Sequence, residues 1–367
     1  MTEPPKERLF RLHPSMRYPI VCGPMANASG GRLSSRVSRS GGLGFVGGGY
    51  LSPHGMEKEL CDCREELGWK EGKGRLEVGV GLLCWRLSQI PEEEAIEILK
   101  VVIRFRVRAV WLSFGDREQM VRWCTLVREM EGRINGEEED GLRLWIMIGK
   151  VEELDFTLRE CEPDVLVVQG IEAGGHGDST SPPLQNLLST ISNLLPAWSP
   201  SLPLVGAGGL SDGRSLLSIL SLHPSISAGV FGTRFLLAEE STYSPAQKSL
   251  LVQASRSKGE LGTVRTLAFD LARGTLGWPQ GVDGRGLFNT TVHEYQQLRA
   301  DGQGQQSLES IRQVYAQAVE RGDVGRIVTW AGTGIGRMDA RVQPVLEIVQ
   351  QIADQLSLAV RELGRYA

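Results

Sequence analysis

Five histidines occur among the 367 residues, and one of them, His176, closes an unusual run: Val167-Val168-Gln169-Gly170-Ile171-Glu172-Ala173-Gly174-Gly175-His176-Gly177. Imidazole changes charge near neutral pH, so a histidine beside a ligand can take or give a proton. Glycine lets the backbone approach a ligand closely and adopts conformations closed to other residues. An apolar strand that runs into such a turn and ends on an imidazole has the build of a cofactor-facing loop with a base beside it. The same spacing also fits a plain tight turn, so the rest of the chain must decide. The other histidines are poorer candidates: His13 and His54 lie in Pro-flanked polar stretches, His223 precedes a proline, and His293 lies in the tail.

Two later segments have the chemistry of an anion cradle. They are Pro203-Leu204-Val205-Gly206-Ala207-Gly208-Gly209-Leu210 with Ser211-Asp212-Gly213 behind it, and Gly229-Val230-Phe231-Gly232-Thr233-Arg234-Phe235. Backbone N–H groups after the last two strands of a barrel, helped by a helix N-terminus, commonly hold phosphate. Gly208 and Gly209 would let the backbone reach phosphate oxygens, and Gly232 and Thr233 would add an N–H and a hydroxyl. Each loop alone fits a tight βα turn equally well; their pairing on the final strands favours phosphate. The early run Cys22-Gly23-Pro24-Met25-Ala26-Asn27-Ala28 sets a flexible apolar Met and small residues at a strand end. That composition suits a flat aromatic ring, with Met as core filler the competing reading. There is no Walker pattern, and Gly44-Phe45-Val46-Gly47-Gly48-Gly49 is not the dinucleotide fingerprint. A mononucleotide carrying a ring is the ligand these residues favour.

Short apolar runs that end on glycine supply the frame. Eight strand candidates lie at Tyr18 to Gly23, Gly42 to Gly47, Leu76 to Leu83, Ala109 to Phe114, Leu142 to Ile148, Asp164 to Gln169, Leu202 to Ala207 and Ala228 to Gly232. Helical patterns follow most of them, at Pro91 to Phe105, Asp116 to Glu131, Val151 to Glu160, Leu184 to Leu195 and Asp212 to Leu222. Continuous apolar strands alternating with helices imply a parallel sheet buried on both faces. The expected fold class is α/β, a (β/α)8 TIM barrel over residues 15–241 with its site on the C-terminal rim; a doubly wound open sheet is the alternative. Residues 242–367 read as a helical subdomain that covers the substrate, with its last segment able to return to the barrel. Its helices are expected at Tyr243 to Lys258, Ser307 to Gly322 and Gln343 to Leu363, and Gly277 to Asn289 reads as a loop. Trp278, Phe288 and Trp330 in this tail either line the pocket or pack in its core. The acidic run Glu137 to Asp140 reads as a solvated turn.

A net charge of -4 and a pI near 5.9 argue against nucleic acid or an anionic membrane as partner. Six scattered cysteines, two of them as Cys61-x-Cys63, form neither a zinc signature nor a disulfide framework. A reduced intracellular setting follows, with no metal expected. The polar, proline-bearing start lacks a signal core, and no apolar run reaches membrane-spanning length. The expectation is a soluble cytoplasmic protein.

These motifs, in their order and spacing, resemble the nitronate monooxygenase family, formerly called 2-nitropropane dioxygenases. The resemblance rests on Gly23-Pro24-Met25-Ala26, Gly41-Gly42-Leu43-Gly44-Phe45-Val46-Gly47-Gly48-Gly49-Tyr50, Gln169-Gly170-x-Glu172-Ala173-Gly174-Gly175-His176, Gly206-Ala207-Gly208-Gly209-Leu210 and Gly232-Thr233-Arg234-Phe235. It resumes at Trp278-Pro279-Gln280-Gly281-x-x-Gly284-Arg285 and Trp330-Ala331-Gly332-Thr333-Gly334. It implies a barrel with a helical domain, bound FMN, and oxidation of nitronates by O2 to carbonyl compounds and nitrite, with nitroalkanes as a further substrate class. It makes His176 the catalytic residue and Gly208, Gly209, Gly232 and Thr233 the phosphate cradle. Pro24, Met25, Ala26, Gln169, Gly174 and Gly175 become flavin contacts, and Lys150, near the end of the fifth strand, the lysine that approaches the flavin.

The chain departs from the family at Ser221-Leu222-His223-Pro224-Ser225 and in the lack of a polar Asn in Gly79-Val80-Gly81-Leu82, which bears on substrate more than on flavin. Competing readings are an FMN-dependent NAD(P)H:quinone or enoyl-thioester reductase, a specialised natural-product oxidase, and a non-catalytic flavin-binding regulatory protein. Bleaching of the flavin by NADH without nitronate would mark the reductase; a flavin that no donor reduces would mark the regulator.

Overall fold

The computed structural model describes residues 3–70, 74–136, 140–197, 199–257, 262–300 and 305–364. Eight parallel strands close into a barrel. They are β1 (Ile20–Cys22), β2 (Leu43–Gly47), β3 (Leu76–Leu83), β4 (Val107–Ser113), β5 (Arg143–Ile148), β6 (Val165–Gln169), β8 (Leu204–Ala207) and β9 (Ile226–Phe231), with β9 pairing back onto β1. Each expected strand is present, so the sheet is closed rather than doubly wound. The register explains the continuous apolar runs. One set of alternate residues, with Val21, Phe45, Trp111, Trp145 and Val167 among them, fills the interior. The other set, with Ile20, Val46, Val80 and Val168, meets the surrounding helices. At the closed end the helix Pro5–Leu12 drops Leu9 and Leu12 into the same interior cluster.

The helices Glu92–Arg104, Arg117–Asn135, Leu184–Leu194 and Gly213–Leu220 lie where helical periodicity puts them. The segment expected as one helix from Val151 to Glu160 is instead broken into Val151–Glu153, Leu154–Phe156 and Thr157–Cys161 turns. Its start is diverted by the Glu153 carboxylate, which folds back to accept the Gly149 and Lys150 N–H groups at 2.7 and 3.1 Å.

The tail differs more. A three-stranded antiparallel sheet joins β10 (Thr263–Thr266), β11 (Val282–Leu287) and β7 (Gly175–Asp178), in the order β10-β11-β7. The stretch Gly277 to Asn289, expected as a loop, therefore holds the central strand of this sheet. Its glycines serve packing: a Cβ on Gly284 would lie 2.5 Å from the Trp330 indole. Helices occupy Pro245–Arg256, Ala268–Arg273, Thr290–Ala300, Gln305–Arg321 and Val345–Leu363. Lys258, the expected end of the first, lies outside the described residues. The last helix packs Val345, Ile348, Val349 and Ile352 into the barrel's outer core, and its Gln355 accepts a hydrogen bond from the Gly213 N–H at 3.0 Å. Of the acidic run, Glu137 to Glu139 lie outside the described residues; Asp140 is exposed yet pairs with Arg108. All six cysteines are free, and no cluster of metal-ligating side chains occurs among the described residues. Nor does any described helix have the length and apolarity to cross a membrane.

Candidate active site

β7 explains why His176 stands where it does. After β6 ends at Gln169, the chain turns through Glu172-Ala173-Gly174 and re-enters as a short strand that pairs His176 with Gly284 of β11. The imidazole is thus held over the barrel mouth by a sheet that the tail completes. Its Nε2 lies 2.9 and 3.0 Å from the two carboxylate oxygens of Asp270. Asp270 is fully buried on the helix Ala268–Arg273, and the Thr275 hydroxyl donates to its Oδ1 at 2.8 Å. Trp278 stacks flat on the imidazole, with ring centres 3.7 Å apart and planes 10° from parallel, and Trp330 leans against it at 5.1 Å.

Electrostatics follow from this packing. Burial pushes the His176 pKa below its ordinary 6.5, against the pull of Asp270 and with Arg273 and Arg265 adding to the depression. Burial therefore favours the neutral ring. Burial also pushes the Tyr50 phenol up to about 12, so it remains a protonated hydroxyl. Arg273 reaches the same cavity and stands over Trp330, 5.9 Å from the ring centre.

Below His176 the cavity runs down to the strand ends. Pro24, Met25 and Ala26 line it from the end of β1, and Gln169, Gly174 and Gly175 from the β6–β7 turn. Gly208, Gly209, Gly232 and Thr233 line it from beyond β8 and β9. Gly208 and Gly209 have φ of 128° and 68°, left-handed conformations in which a side chain is strained. The Thr233 hydroxyl accepts the Gly332 N–H at 2.9 Å, which leaves its own proton to donate. The Thr333 N–H bonds the Glu172 carbonyl at 3.0 Å, so the Trp330 to Gly334 segment is fastened to both the histidine turn and the cradle. Met147 and Trp111 form part of the apolar floor, and the buried Trp111 indole N–H has no hydrogen-bond partner among the described residues.

Eleven of the expected site residues thus share one cavity. Lys150 does not line it; its ammonium is paired 2.5 Å from the Asp178 carboxylate. Of the tail aromatics, Trp278 and Trp330 line the cavity, whereas Phe288 is 44% exposed. Sequence reasoning missed Asp270, Arg273 and Tyr50. For the first two, the available signal was an acid and a base three residues apart, one turn of helix, just ahead of Trp278.

Fold and cavity together define a barrel enzyme for a small molecule. The chain belongs to the nitronate monooxygenase family, a family of oxidoreductases, whose model matches residues 6–66 and 121–355. It is 30% identical to the nitronate monooxygenase npaC of Metarhizium robertsii over 367 aligned residues, 95% of this chain and 94% of that one. Among solved structures, FabK from Thermotoga maritima superposes with a TM-score of 0.73 at 24% identity, covering 100% of both chains. The nitroalkane oxidase of Streptomyces ansochromogenes superposes with a TM-score of 0.69 at 23% identity, over 97% of this chain and 99% of that one. At those identities the structural likeness speaks to the fold alone.

Proposed function

We propose that this protein oxidises alkyl nitronates with O2 to carbonyl compounds and nitrite, that it uses FMN, and that it also accepts neutral nitroalkanes. The observation that carries this reading is one cavity holding a buried imidazole, a guanidinium and a glycine cradle. The cradle fits a phosphate: two left-handed glycines bring backbone to the cavity wall, and Thr233 has a proton to give. The floor of Pro24, Met25 and Met147 fits a flat ring, and the orphaned Trp111 N–H is a donor such a ring's polar atoms can satisfy. FMN, when bound there, supplies the redox chemistry.

The chain's own residues supply charge and position. Arg273 offers a fixed positive charge to the anionic nitronate. His176, whose neutral form burial favours, is able to remove the acidic α-proton of a nitroalkane. Trp278 and Trp330 wall the reacting region from water. Residues 242–367 are assigned the role of substrate cover, because Arg273, Trp278 and Trp330 all come from them. The ion-paired Lys150 is given no part in binding the flavin.

The test is anaerobic addition of propyl-2-nitronate to the purified flavin-loaded protein. Loss of the visible flavin bands is expected, with return on admission of air and release of nitrite. Unchanged bands would overturn the substrate assignment, and bleaching by NADH alone would favour the reductase reading. In His176→Asn, turnover of neutral nitroalkane should fall by about 10²- to 10⁴-fold, with a smaller loss on pre-formed nitronate.

A further inference from the structure

The site's least expected member is Asp270. It is fully buried and 94 residues from the imidazole in sequence, yet both its oxygens lie within 3.0 Å of His176 Nε2. Facing two carboxylate oxygens, which serve as hydrogen-bond acceptors, Nε2 is assigned as the donor. That assignment fixes the tautomer: the proton of the neutral ring sits on Nε2 and the lone pair on Nδ1. A half-turn of the ring would put a carbon where Nε2 now meets Asp270, and the Trp278 stack at 3.7 Å opposes that turn. The carboxylate is held in turn by the Thr275 hydroxyl at 2.8 Å, and Thr275 is itself fixed by its N–H on the Asp270 backbone carbonyl at 3.0 Å.

We propose that Asp270 is a positioning residue that presents His176 to substrate through Nδ1 and stabilises the imidazolium formed when that nitrogen takes a proton. This rests on the nitronate-oxidising reading of the cavity and adds to it how the chain accepts a neutral nitroalkane. In that step the α-carbon C–H bond breaks, the proton passes to Nδ1, and the electron pair moves into the nitro group to form the nitronate. The positive ring is then paired with Asp270, and its proton later returns to solvent. The arrangement follows the logic by which a buried carboxylate orients a catalytic imidazole, with the two ring nitrogens in exchanged roles. The charged groups that act on His176 are Asp270 and Arg273 from the helix Ala268–Arg273 and Arg265 from β10; Arg265 is itself paired with Asp283 at 2.6 Å. The phenol of Tyr50 faces the same cavity and stays neutral.

Two measurements test this on the flavin-loaded protein. Long-range proton–nitrogen correlation spectra of histidine-labelled protein should report His176 protonated at Nε2 in the neutral form, and Asp270→Asn should lower its midpoint and abolish that preference. Protonation at Nδ1 in the native protein would overturn the proposal, whether or not nitronates prove to be substrates. For kinetics, nitroethane is compared with its pre-formed nitronate. In Asp270→Asn, kcat/KM for nitroethane should drop by about 10²-fold or more, and by at least about tenfold more than that for the nitronate, since only the first needs proton removal. Equal loss on both, with flavin retained, would make Asp270 merely structural. Should Asp270→Asn fail to fold, Thr275→Val loosens the same carboxylate; a ratio of the two activities unmoved by it would also sink the idea.

Discussion

An arginine beside an apolar cavity has to be put to use or neutralised, because a desolvated charge is costly. Arg273 is half-buried, faces Trp330, and forms no ion pair among the described residues. An anionic substrate is the partner that best completes it. A hydrogen bond to a charged group contributes about 1.5–3 kcal/mol, so Arg273→Met should raise KM for nitronates by about 10- to 100-fold with little change in kcat. Steady-state kinetics on a nitronate and its parent nitroalkane check this, and an equal rise for the neutral compound would contradict it. At this scale the sequence disclosed what is local. His176 and the cradle glycines sit in contiguous motifs whose residue types state their chemistry. Asp270 and Arg273 belong to a plain six-residue helix, and nothing in its own composition ties it to a histidine 94 residues away.

Elements divide along the same line. The barrel strands were legible because burial on both faces makes each of them an apolar run, and the helices between them because periodicity survives without knowledge of partners. β7 and β11 carry neither signal: β7 is four residues long and owes its strand form to pairing with β11 across more than a hundred residues, and β11 lies between β7 and β10. Glycine in β11 reads as loop, yet Gly284 is where the Trp330 indole must lie, its Cζ3 2.5 Å and Cη2 2.6 Å from the place a Cβ would take. Gly284→Ala should therefore displace Trp330 and, through the ring contacts, His176. A loss of about 1–3 kcal/mol is expected for such overpacking, with nitroalkane turnover falling more steeply than flavin retention. Urea denaturation and near-ultraviolet circular dichroism read the two effects, and an unaltered tryptophan signal would refute the packing argument.

For the whole molecule, the closed end of the barrel sets how the fold answers to pH. His13 follows the helix Pro5–Leu12 and is fully buried under the interior aromatics, its Nε2 accepting the Trp145 indole N–H at 3.1 Å. Protonating it would forfeit that bond and bury a cation near Arg108 and Arg143, so its pKa is pushed well below 6.5, burial being the larger cause. The unfolded chain then binds the proton more readily than the folded one. Stability is complete above the unfolded value of about 6.5 and is lost as pH falls toward the depressed folded value. Each such histidine contributes a slope of about 1.4 kcal/mol per pH unit. His176 is depressed too, so the two act together at opposite ends of the barrel. Carboxylates held low by ion pairs, such as Asp178 beside Lys150, weaken the fold only under stronger acid, and Glu153, raised by burial, acts in the opposite sense above 4.5. Between pH 6.5 and 5 both histidines lower the stability of the fold as the pH falls. His13→Gln keeps an acceptor for Trp145 without a titrating proton, and urea midpoints across that window should fall less steeply for it than for the native protein. Parallel curves would show that the barrel floor takes no part in the acid response.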